Sequence, residues 1–576
     1  MVPIINYMPF LVKKILKGRP YYYLRHNHYV DGKSKTAWQI YLGSEESLQI
    51  RGKLAKLEFS TETIEFGLLA ALLHIADKLK IIDVINQYTN KRSQGLSVGH
   101  HVLFAALNRC VQPTSKRQLK RWFKKTMLED QHSEIDSALD SRAYWAHFKY
   151  LSDSAIEDVE NDFIKTVQSK FNVNIDDISF DPTNFYTYIR PRNEDTQKLA
   201  KHGHSKEGRK SLNIVNMSLF STLDTGVPLF HLLYPGNVQD ARHFRELGIP
   251  AIKRRLQALD IDTKKITLVF DKGNLSDEGF KQLETSGFDY ICSDRPSTHK
   301  DLLGLAPDSF HMNTLPNGKE VGVKEFYFEK YGKKRRFIAT YNPAQARWNK
   351  INLEAKVQKK VDGVEEYFKD RVVFKPGEKR RGQADKWRKR EEVEKKIKAI
   401  IGGAPYKNII SFSVKGPKSL PIAKGGRFQI DVSIHAEKMA QQEMRLGKAF
   451  LMTSREDITP HDVVWSFRQQ YLVERAFKWL KNTEFLSIRP MFHRVDDSIR
   501  GHVFVCYIGL LLLSLLVREL GQAGVPTSIF KAIEHLKDIR LTRISISGKE
   551  KPLITLDKMS AESKEIYEAL NLKRYL

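Results

Sequence analysis

The sequence predicts an α/β protein organised around a central sheet, and three observations carry this prediction. Hydrophobic residues make up 41% of the 576 residues, which is enough for packed cores and excludes a wholly disordered chain. Between residues 171 and 300, short apolar runs alternate with helical patterns. Two of those runs end in the same F-D-x-x-N spacing, which places Asp181 and Asp271 at matching positions. At roughly 150 residues per domain, we expect about three to four domains.

The N-terminal region combines a β segment with a helical segment. In residues 1–60, the tyrosine-rich stretch "GRPYYYLRHNHYVDGKSKTAWQIYLG" contains Asp31-Gly32, a hairpin-turn signal, and predicts a β meander. Residues 61–170 show helical spacing, and we predict that they form a helical DNA-binding region because of the basic residues that one helix carries. There, a helix capped by Ser115 would carry a basic stripe, which we interpret as a DNA-facing surface: Lys116, Lys120 and Lys124, with Arg117 and Arg121 beside them. An ordinary solvated helix is the alternative.

The first part of the core, residues 171–300, predicts five strands and two helices. The strand candidates are "DISFD", "LNIVNMSLFST", "VPLFHLLYP", "ITLVFD" and "FDYICSD", with helices around 241–259 and from about 276. Three strands in quick succession, followed by helix, strand, helix and strand, suit a ribonuclease H-like sheet better than a regular doubly wound one. The fold prediction is therefore a ribonuclease H-like core.

A region of different sequence character separates the first part of the core from the second part. Residues 301–446 hold the hairpin pattern "KEFYFEKYGKKRRFIATY", a charged helical stretch and the strand "GGRFQIDVSIH", and predict an inserted β-rich subdomain. The second part of the core, residues 447–535, begins with the strand "GKAFLMTS" and then a helix whose start is marked by Thr459, Pro460 and Asp462. Residues 536–576 are predicted as a C-terminal tail.

Charge indicates the class of partner. Lys and Arg total 95 against 68 acidic residues, a net charge of +27, which favours a polyanion and above all nucleic acid. A membrane surface is the second candidate, but the apolar run "VFVCYIGLLLLSLLV" is shorter than the roughly 18 residues that span a bilayer. We expect a buried helix there, no membrane association and a cytoplasmic location, with association to the nucleoid when DNA is bound. The three cysteines show no metal-site spacing and predict core thiols.

A third acidic residue joins the two aspartates. Glu474 lies at the edge of an apolar helical stripe formed by Val473, Phe477 and Leu480, where a carboxylate needs a partner. A salt bridge to Lys478 at i+4 is the alternative to a functional role. If "DISFD" and "ITLVFD" are neighbouring strands, both aspartates emerge at one sheet edge, and the helix from Pro460 can bring Glu474 to them.

These motifs resemble the DDE transposases of bacterial insertion elements. The resemblance is to the insertion-sequence-four-like group, whose last acidic helix follows a Y-x2-R-x3-E-x6-K pattern. Glu474 and Lys481 match its second half, whereas Phe467 and Gln470 stand at the Tyr and Arg places. Three further stretches match in order: "GHSKEGRKSLN", "PLFHLLYPGNVQD" and "LSIRPMFHRVDDSIRGHVFVCYIGLLLL".

The resemblance implies a function and a set of roles. Asp181, Asp271 and Glu474 would be the catalytic residues and the ligands of two Mg²⁺ or Mn²⁺ ions, hard cations that prefer oxygen ligands. We expect the three carboxylates to converge closely enough to share ions about 3.5 to 4 Å apart, with some spread when no metal is bound. Cations near them would hold phosphates: Lys481, Lys206 and Arg209.

The same resemblance implies partners and leaves alternatives. The partners would be double-stranded DNA, both the terminal inverted repeats and the target, and a second copy of the chain when two ends are paired. The reaction would cut the element ends and join them to target DNA. One alternative is a ribonuclease H-like nuclease without strand transfer, and the other is a non-catalytic DNA-binding protein derived from a transposase.

Overall fold

The computed structural model describes residues 9–30, 33–44, 59–91, 95–131, 139–188, 197–274, 276–546 and 552–576. These residues divide into two compact units. The first unit comprises residues 1–77, 114–143 and 519–576, and the second comprises residues 78–113 and 144–518.

The strands and helices are numbered in chain order. The strands are β1 (Phe10–Leu16), β2 (Arg19–Val30), β3 (Lys33–Ser44), β4 (Phe59–Glu65), β5 (Asp177–Tyr186), β6 (Ile214–Thr222), β7 (Pro228–Pro235), β8 (Thr267–Phe270), β9 (Asp289–Asp294), β10 (His311–Thr314), β11 (Glu320–Lys330), β12 (Lys333–Tyr341), β13 (Val373–Phe374), β14 (Ile410–Lys415), β15 (Gly426–Arg427), β16 (Gln429–Ile434), β17 (Lys448–Thr453), β18 (Arg540–Ile546) and β19 (Leu553–Leu556). The α-helices are α1 (Gly67–Leu79), α2 (Ile81–Gln87), α3 (Val98–Val111), α4 (Leu119–Phe123), α5 (Leu128–Gln131), α6 (Ser141–Phe148), α7 (Asp153–Phe171), α8 (Asp240–His243), α9 (Ile249–Ala258), α10 (Asp277–Thr285), α11 (Lys300–Leu303), α12 (Pro343–Phe368), α13 (Arg390–Ile401), α14 (Tyr406–Ile409), α15 (Ala436–Glu443), α16 (Pro460–Arg468), α17 (Tyr471–Lys481), α18 (Asp496–Gln522), α19 (Ile529–Asp538) and α20 (Ala561–Ala569).

The first unit contains two small antiparallel sheets. Strands β1, β2 and β3 pair in sequence as a meander, and the predicted turn at Asp31-Gly32 lies outside the described residues. Strand β4 pairs with β18, which also pairs with β19. The residues expected to form a C-terminal tail therefore supply two strands and a helix to this unit, and residues from both ends of the chain share one sheet.

The basic helix predicted near Ser115 is wrong in its extent and its exposure. Helix α4 covers only Leu119–Phe123, and Lys116 precedes it. Lys116 is only 5% exposed, so it does not lie on a solvent-facing stripe. Lys120 is half-buried and Arg121 is exposed. The apolar side chains of α4, Leu119, Trp122 and Phe123, are buried.

The second unit is built on a nine-stranded mixed sheet. Its strand order is β10-β11-β12-β17-β9-β8-β5-β6-β7. In this sheet the β5–β8 and β8–β9 pairs are parallel, and the remaining pairs are antiparallel. The five strands predicted for residues 171–300 are confirmed, as is the helix that follows the Ser276 cap. The helix predicted around 241–259 is also present, with a π-helical turn at Phe244–Gly248 in its middle.

Strand alternation places apolar side chains on both faces of the sheet. On one face, Phe180 and Phe270 join a core that also includes residues of α9 and α10. On the other face, Val269 and Ile291 pack with Val463 and Val464 of α16. Because successive side chains of a strand point to opposite faces, both sides of the central strands must be covered, which explains their almost continuous apolar sequences.

Residues 301–446 divide between this sheet and a separate core. Strands β11 and β12 form the predicted hairpin, and with β10 they extend the nine-stranded sheet. Helices α12 and α13 pack with the short strands β13 to β16 around a second core that includes Val357, Val364, Val393 and Ile397. The charged stretch before α13 forms a 3-10 segment, Gly382–Arg388.

The helix predicted from Pro460 begins as expected but is interrupted. Thr459 and Asp462 form a reciprocal capping box, and Pro460 occupies the first turn. Helix α16 then ends at Arg468, and a separate helix, α17, begins at Tyr471. The prediction of one continuous helix is therefore wrong, and Glu474 lies in the first turn of a new helix.

The longest apolar segment forms a buried helix, as predicted. Among the described helices, α18 is the one whose length and composition would permit a membrane crossing, yet 78% of its most apolar window is buried inside the protein. The core helix of a soluble protein has the same character. Cys110, Cys292 and Cys506 are all buried free thiols.

Candidate active site

Two carboxylates lie level with each other on neighbouring parallel strands: Asp181 within β5, and Asp271 directly after the last residue of β8. The strand predicted to end at Asp181 therefore extends further, to Tyr186. Strands β5 and β8 pair in parallel, with Phe180 opposite Phe270. Asp181 and Asp271 are the next residues on each strand, so the pairing brings them to the same level. Neighbouring strands lie about 4.8 Å apart, which makes the two aspartates neighbours across the ladder. The sequence prediction of adjacent strands is confirmed.

Helix α17 carries the third carboxylate. The helix packs against β5, and Val473, Phe477 and Leu480 are buried, as predicted. Glu474 is exposed, and within the described part of the chain it forms no ion pair, so the alternative of a bridge to Lys478 is not realised. Because Val473 and Phe477 hold the apolar side of α17 on the sheet, Glu474 is left at its solvent margin.

The strand and the helix run alongside one another. Glu474 acts electrostatically on Asp181, and Lys481 lies over the ring of Phe185 with its Nζ 5.6 Å from the ring centroid. Seven residues of helix advance about 10 Å, and four residues of strand advance about 13 Å. Both interactions therefore follow the shared direction of α17 and β5, with Glu474 toward Asp181 and Lys481 toward Phe185.

The pKa of Asp181 depends on its burial and on the charged groups around it. Burial is the largest cause that raises the pKa of this carboxyl, to about 7. The ammonium of Lys206 opposes that rise, whereas the negative charges of Glu474, Asp271 and Asp240 add to it. Three neighbouring carboxylates thus act on Asp181 in the same direction as its burial, and the ammonium of Lys206 offsets only part of their effect.

The donor set suits divalent cations, although the site is not preassembled. The carboxylate oxygens of Asp181, Asp271 and Glu474 are hard ligands of the kind that Mg²⁺ and Mn²⁺ prefer, and bound positive charge would relieve their mutual repulsion. Within the described residues, no group of three acidic, histidine or cysteine side chains is close enough to form a ready-made metal site. The sequence prediction allowed such spread before ions bind, and the carboxylates would have to draw together to share them.

A fourth acid, Asp240, was not predicted as a site residue. Its Oδ2 atom lies 2.9 Å from the Nζ of Lys206, and its Oδ1 accepts a hydrogen bond of 2.8 Å from the hydroxyl of Tyr234. Lys206 Nζ also donates to the carbonyl oxygen of Pro182 at 2.6 Å. The sequence carried a signal for it, because Asp240 ends the G-N-x-x-D stretch.

The loop that carries Lys206 is held by a buried asparagine of β5. Asn184 is 4% exposed, its Nδ2 donates to the carbonyl oxygen of His204 at 3.0 Å, and its Oδ1 accepts from the backbone N–H of Lys206 at 3.2 Å. These bonds fix the loop 203–212 beside Asp181. The second asparagine of the repeated F-D-x-x-N spacing, Asn274, is also buried.

Lys481 belongs to a second charged cluster. Its Nζ lies 3.2 Å from Oε1 of Glu207, and Glu207 also forms an ion pair with Arg489. Burial lowers the pKa of Lys481, and the charge of Glu207 partly restores it. Arg489, which the sequence analysis did not single out, donates to the carbonyl oxygen of Lys481 at 2.7 Å and lies over the ring of Tyr186. Arg209 lies over the same ring from the loop side and is exposed.

With this geometry established, comparison with known proteins decides the family. The family model described as "Transposase DDE domain" matches residues 175–512, more than half of the chain and all of the elements that carry the acidic residues. The chain belongs to the DDE transposase domain family. No curated protein matches it. A cryo-EM structure of a piggyBac transposase synaptic complex with hairpin DNA aligns with 83% of this chain and 82% of its own, at 10% identity and a TM-score of 0.34, a likeness too distant to bear on the assignment.

In this DDE-family chain the second aspartate is held by a neighbouring strand. Ser293 of β9 donates a hydrogen bond from its hydroxyl to Asp271. The Oγ atom of Ser293 also accepts a hydrogen bond of 2.9 Å from the backbone N–H of Lys272. Asp271 itself is exposed, so the hydrogen bond restricts its rotamer without burying it. Nothing in the spacing of the sequence pointed to Ser293, because the contact depends on the pairing of β8 with β9.

Proposed function

We propose that the chain is a transposase that cuts the ends of an insertion element and joins them to target DNA. The family assignment supports the class of enzyme. The observation that carries the proposal is the parallel pairing of β5 with β8, which sets Asp181 beside Asp271, together with the packing of α17, which carries Glu474, against β5. We assign the three as the catalytic and metal-binding residues, on a ribonuclease H-like core.

The reaction needs a strong nucleophile at a phosphodiester that is already negative. Two divalent ions, held by Asp181, Asp271 and Glu474, would supply Lewis acidity and charge neutralisation when bound. Water attacks the scissile phosphate and the bond to the leaving oxygen breaks, which frees a 3′-hydroxyl. That hydroxyl then attacks a phosphate of the target, a bond to the target strand breaks, and the element is joined. No covalent bond to the protein forms.

The cations around the site would orient the DNA backbone. Lys206 stands beside Asp181 and is tied to Asp240, so it can hold a phosphate while tuning the charge of the aspartate. Lys481 and Arg489 share one counter-ion, Glu207, which leaves a net positive charge at the end of α17. Arg209 is exposed at the margin. Phosphate contacts of this kind position a duplex and carry no sequence information.

The partners follow from the reaction. Double-stranded DNA is the substrate, as both element end and target, and we infer a homodimer when two ends are held together. The basic excess of +27 supports an electrostatic contribution to DNA binding. Residues of the first unit, among them Lys120 and Arg121, are proposed to contact DNA outside the catalytic edge. The assignment to the insertion-sequence-four-like group rests on the Glu474 and Lys481 spacing.

The decisive experiment is cleavage and joining with the element's own ends. The purified full-length chain is incubated with a duplex carrying the terminal inverted repeat, a target plasmid and Mg²⁺, and both free 3′ ends and joined products are mapped. Cleavage with joining is expected. Cleavage without joining would indicate the alternative nuclease function, and binding without cleavage would indicate the non-catalytic alternative. The matched controls are the isosteric variants D181N, D271N and E474Q.

A further inference from the structure

A cavity of about 440 Å³ opens beside Asp271, on the opposite side from Lys206 and Lys481. Its lining comes from the residues after β8, the ends of β9, β12 and β17, the start of α12 and the last turns of α16. The side chains that matter for its chemistry are Lys272, Arg445, Arg468, Gln345 and Asn349. All of them belong to the second unit.

Two charged residues of the lining are satisfied within the protein. Asp294 accepts from His299 at 2.8 Å and pairs with Lys330 at 2.5 Å, and although burial opposes them, these contacts lower its pKa to about 2. Lys448 donates to backbone carbonyl oxygens, including that of Leu303 at 2.7 Å. Neither residue is left to attract a ligand.

Three cations of the lining are not satisfied in this way. Across the described ranges, Lys272, Arg445 and Arg468 form no ion pair and no side-chain hydrogen bond with the protein. Lys272 and Arg445 are exposed, but Arg468 is half-buried. Burial lowers the pKa of its guanidinium, and no acidic side chain compensates. A partly desolvated charge without a counter-ion costs folding free energy, so an anion bound in the cavity beside Arg468 would stabilise it.

Neutral donors line the same cavity as Arg468. Gln345 and Asn349 lie four residues apart, on one face of the first turns of α12. The side chain of Asn342 accepts the backbone N–H of Gln345 and caps this 26-residue helix. Amide donors and the positive end of a long helix both favour an oxyanion over a neutral ligand.

We propose that this cavity binds a phosphate of the DNA backbone adjacent to the one placed over the acidic residues. Arg468 is its principal ligand, and Lys272 and Arg445 flank it. The identity of the anion as DNA rests on the proposed function. Arg468 acts as a positioning residue, because it holds the strand beside Asp271 and does not touch the reacting atoms.

The first measurement tests whether bound DNA protects Arg468 from chemical modification. The full-length chain is treated with an arginine-specific dicarbonyl reagent, with and without a duplex of the element's terminal sequence, and modification of each arginine is measured by peptide mass spectrometry. Arg468 is expected to react at least about fivefold more slowly in the complex. Arg427 serves as the matched control, because it is exposed, forms no ion pair among the described residues and lies outside the cavity.

Salt dependence provides the second measurement. Each neutralised phosphate contributes about 0.9 to the slope of log K against log salt, so R468Q should lower that slope by about one relative to the wild type. R427Q should leave it unchanged, and R468K should restore most of it. Equal thermal unfolding of R468Q and R427Q checks that the fold is intact.

The outcomes separate this inference from the proposed function. If the duplex binds but Arg468 reacts equally fast with and without it, and R468Q behaves like R427Q, the inference is overturned while the transposase proposal stands. If Arg468 is protected but no cleavage occurs with Mg²⁺, the inference stands and the proposed function fails. Absence of binding to any duplex would overturn both.

Discussion

The two sides of the acidic edge differ in how their cations are treated. On the side of β5, Lys206 is paired with Asp240, and Lys481 is paired with Glu207. On the side of β8, within the described residues, Lys272 and Arg468 have no acidic partner. A paired cation has a fixed position and a reduced net field, whereas an unpaired cation keeps its full attraction for a phosphate. The cations of the first side are therefore held in place by acidic partners, whereas those of the second side keep their full charge available for a ligand.

The largest expected effect comes from the acids that both sides serve. D181N, D271N and E474Q should each reduce cleavage of the element end by more than about a thousandfold, because the loss of one ligand removes the charge that holds the ions. Affinity for the duplex should change less than about threefold. Gel-shift and cleavage assays on the same preparations check both values. Parallel loss of binding and cleavage in all three variants would contradict this division.

A smaller effect should follow when the paired side is disturbed. K481M removes a cation that we propose to contact the DNA backbone, and we expect roughly a hundredfold loss of cleavage, in line with the removal of one preorganised donor. E207Q should also impair cleavage, by about tenfold, although it increases the net positive charge, because Lys481 and Arg489 lose their shared anchor.

The E207Q variant distinguishes an anchoring role of Glu207 from a simple effect of charge. If added positive charge alone mattered, E207Q would cleave faster than the wild type. Single-turnover cleavage at saturating protein separates the two cases, because it removes differences in affinity.

The titration of Asp181 offers a test without DNA. Its pKa is raised to about 7, above the ordinary value of 3.8, so the folded state favours the protonated form. The stabilising contribution is therefore full below pH 3.8 and is lost as the pH rises toward 7. Between pH 5.5 and 8.5, in the presence of a chelator, the wild type should lose about 1 to 2 kcal/mol relative to D181N.

Thermal unfolding of the two proteins across that range measures the difference. Within the same series, K206M should move the midpoint of the change to higher pH and D240N should move it to lower pH. A pH-independent difference between the wild type and D181N would show that Asp181 is not desolvated.

The smallest expected effect concerns Ser293. S293A removes the hydroxyl that holds Asp271, and we expect about a tenfold loss of cleavage with unchanged DNA affinity, because the carboxylate can still reach its position at a cost of rotamer freedom. S293T, which keeps the hydroxyl, is the control and should retain most of the activity. Equal activity of all three proteins would contradict the positioning role.

The sequence predicted those features that depend on neighbours along the chain. Apolar runs ending in Asp181 and Asp271 predicted two strands, and Thr459 with Asp462 predicted a helix start, because alternation and capping are local. The break after Arg468 was not predicted, since the residues that follow have adequate helix propensity and tertiary packing decides. Burial of Lys116 was missed for the same reason.

Contacts between side chains on different strands and loops could not be predicted from the sequence. Ser293 reaches Asp271 because β8 and β9 are adjacent, and Asp240 reaches Lys206 because Asn184 fixes a loop. Neither contact leaves a periodic pattern, so the motifs identified the carboxylates but not the groups that hold them.

The pairing of β4 with β18 has a consequence for how the protein is made. Residues 59–65 leave the ribosome well over four hundred residues before their partner strand at 540–546, and at about 5 to 20 residues per second this interval lasts tens of seconds or more. During that time the edge of β4 lacks its partner strand. The first unit is therefore completed only at the end of synthesis, and a prematurely terminated chain would carry the DDE domain residues without a finished first unit.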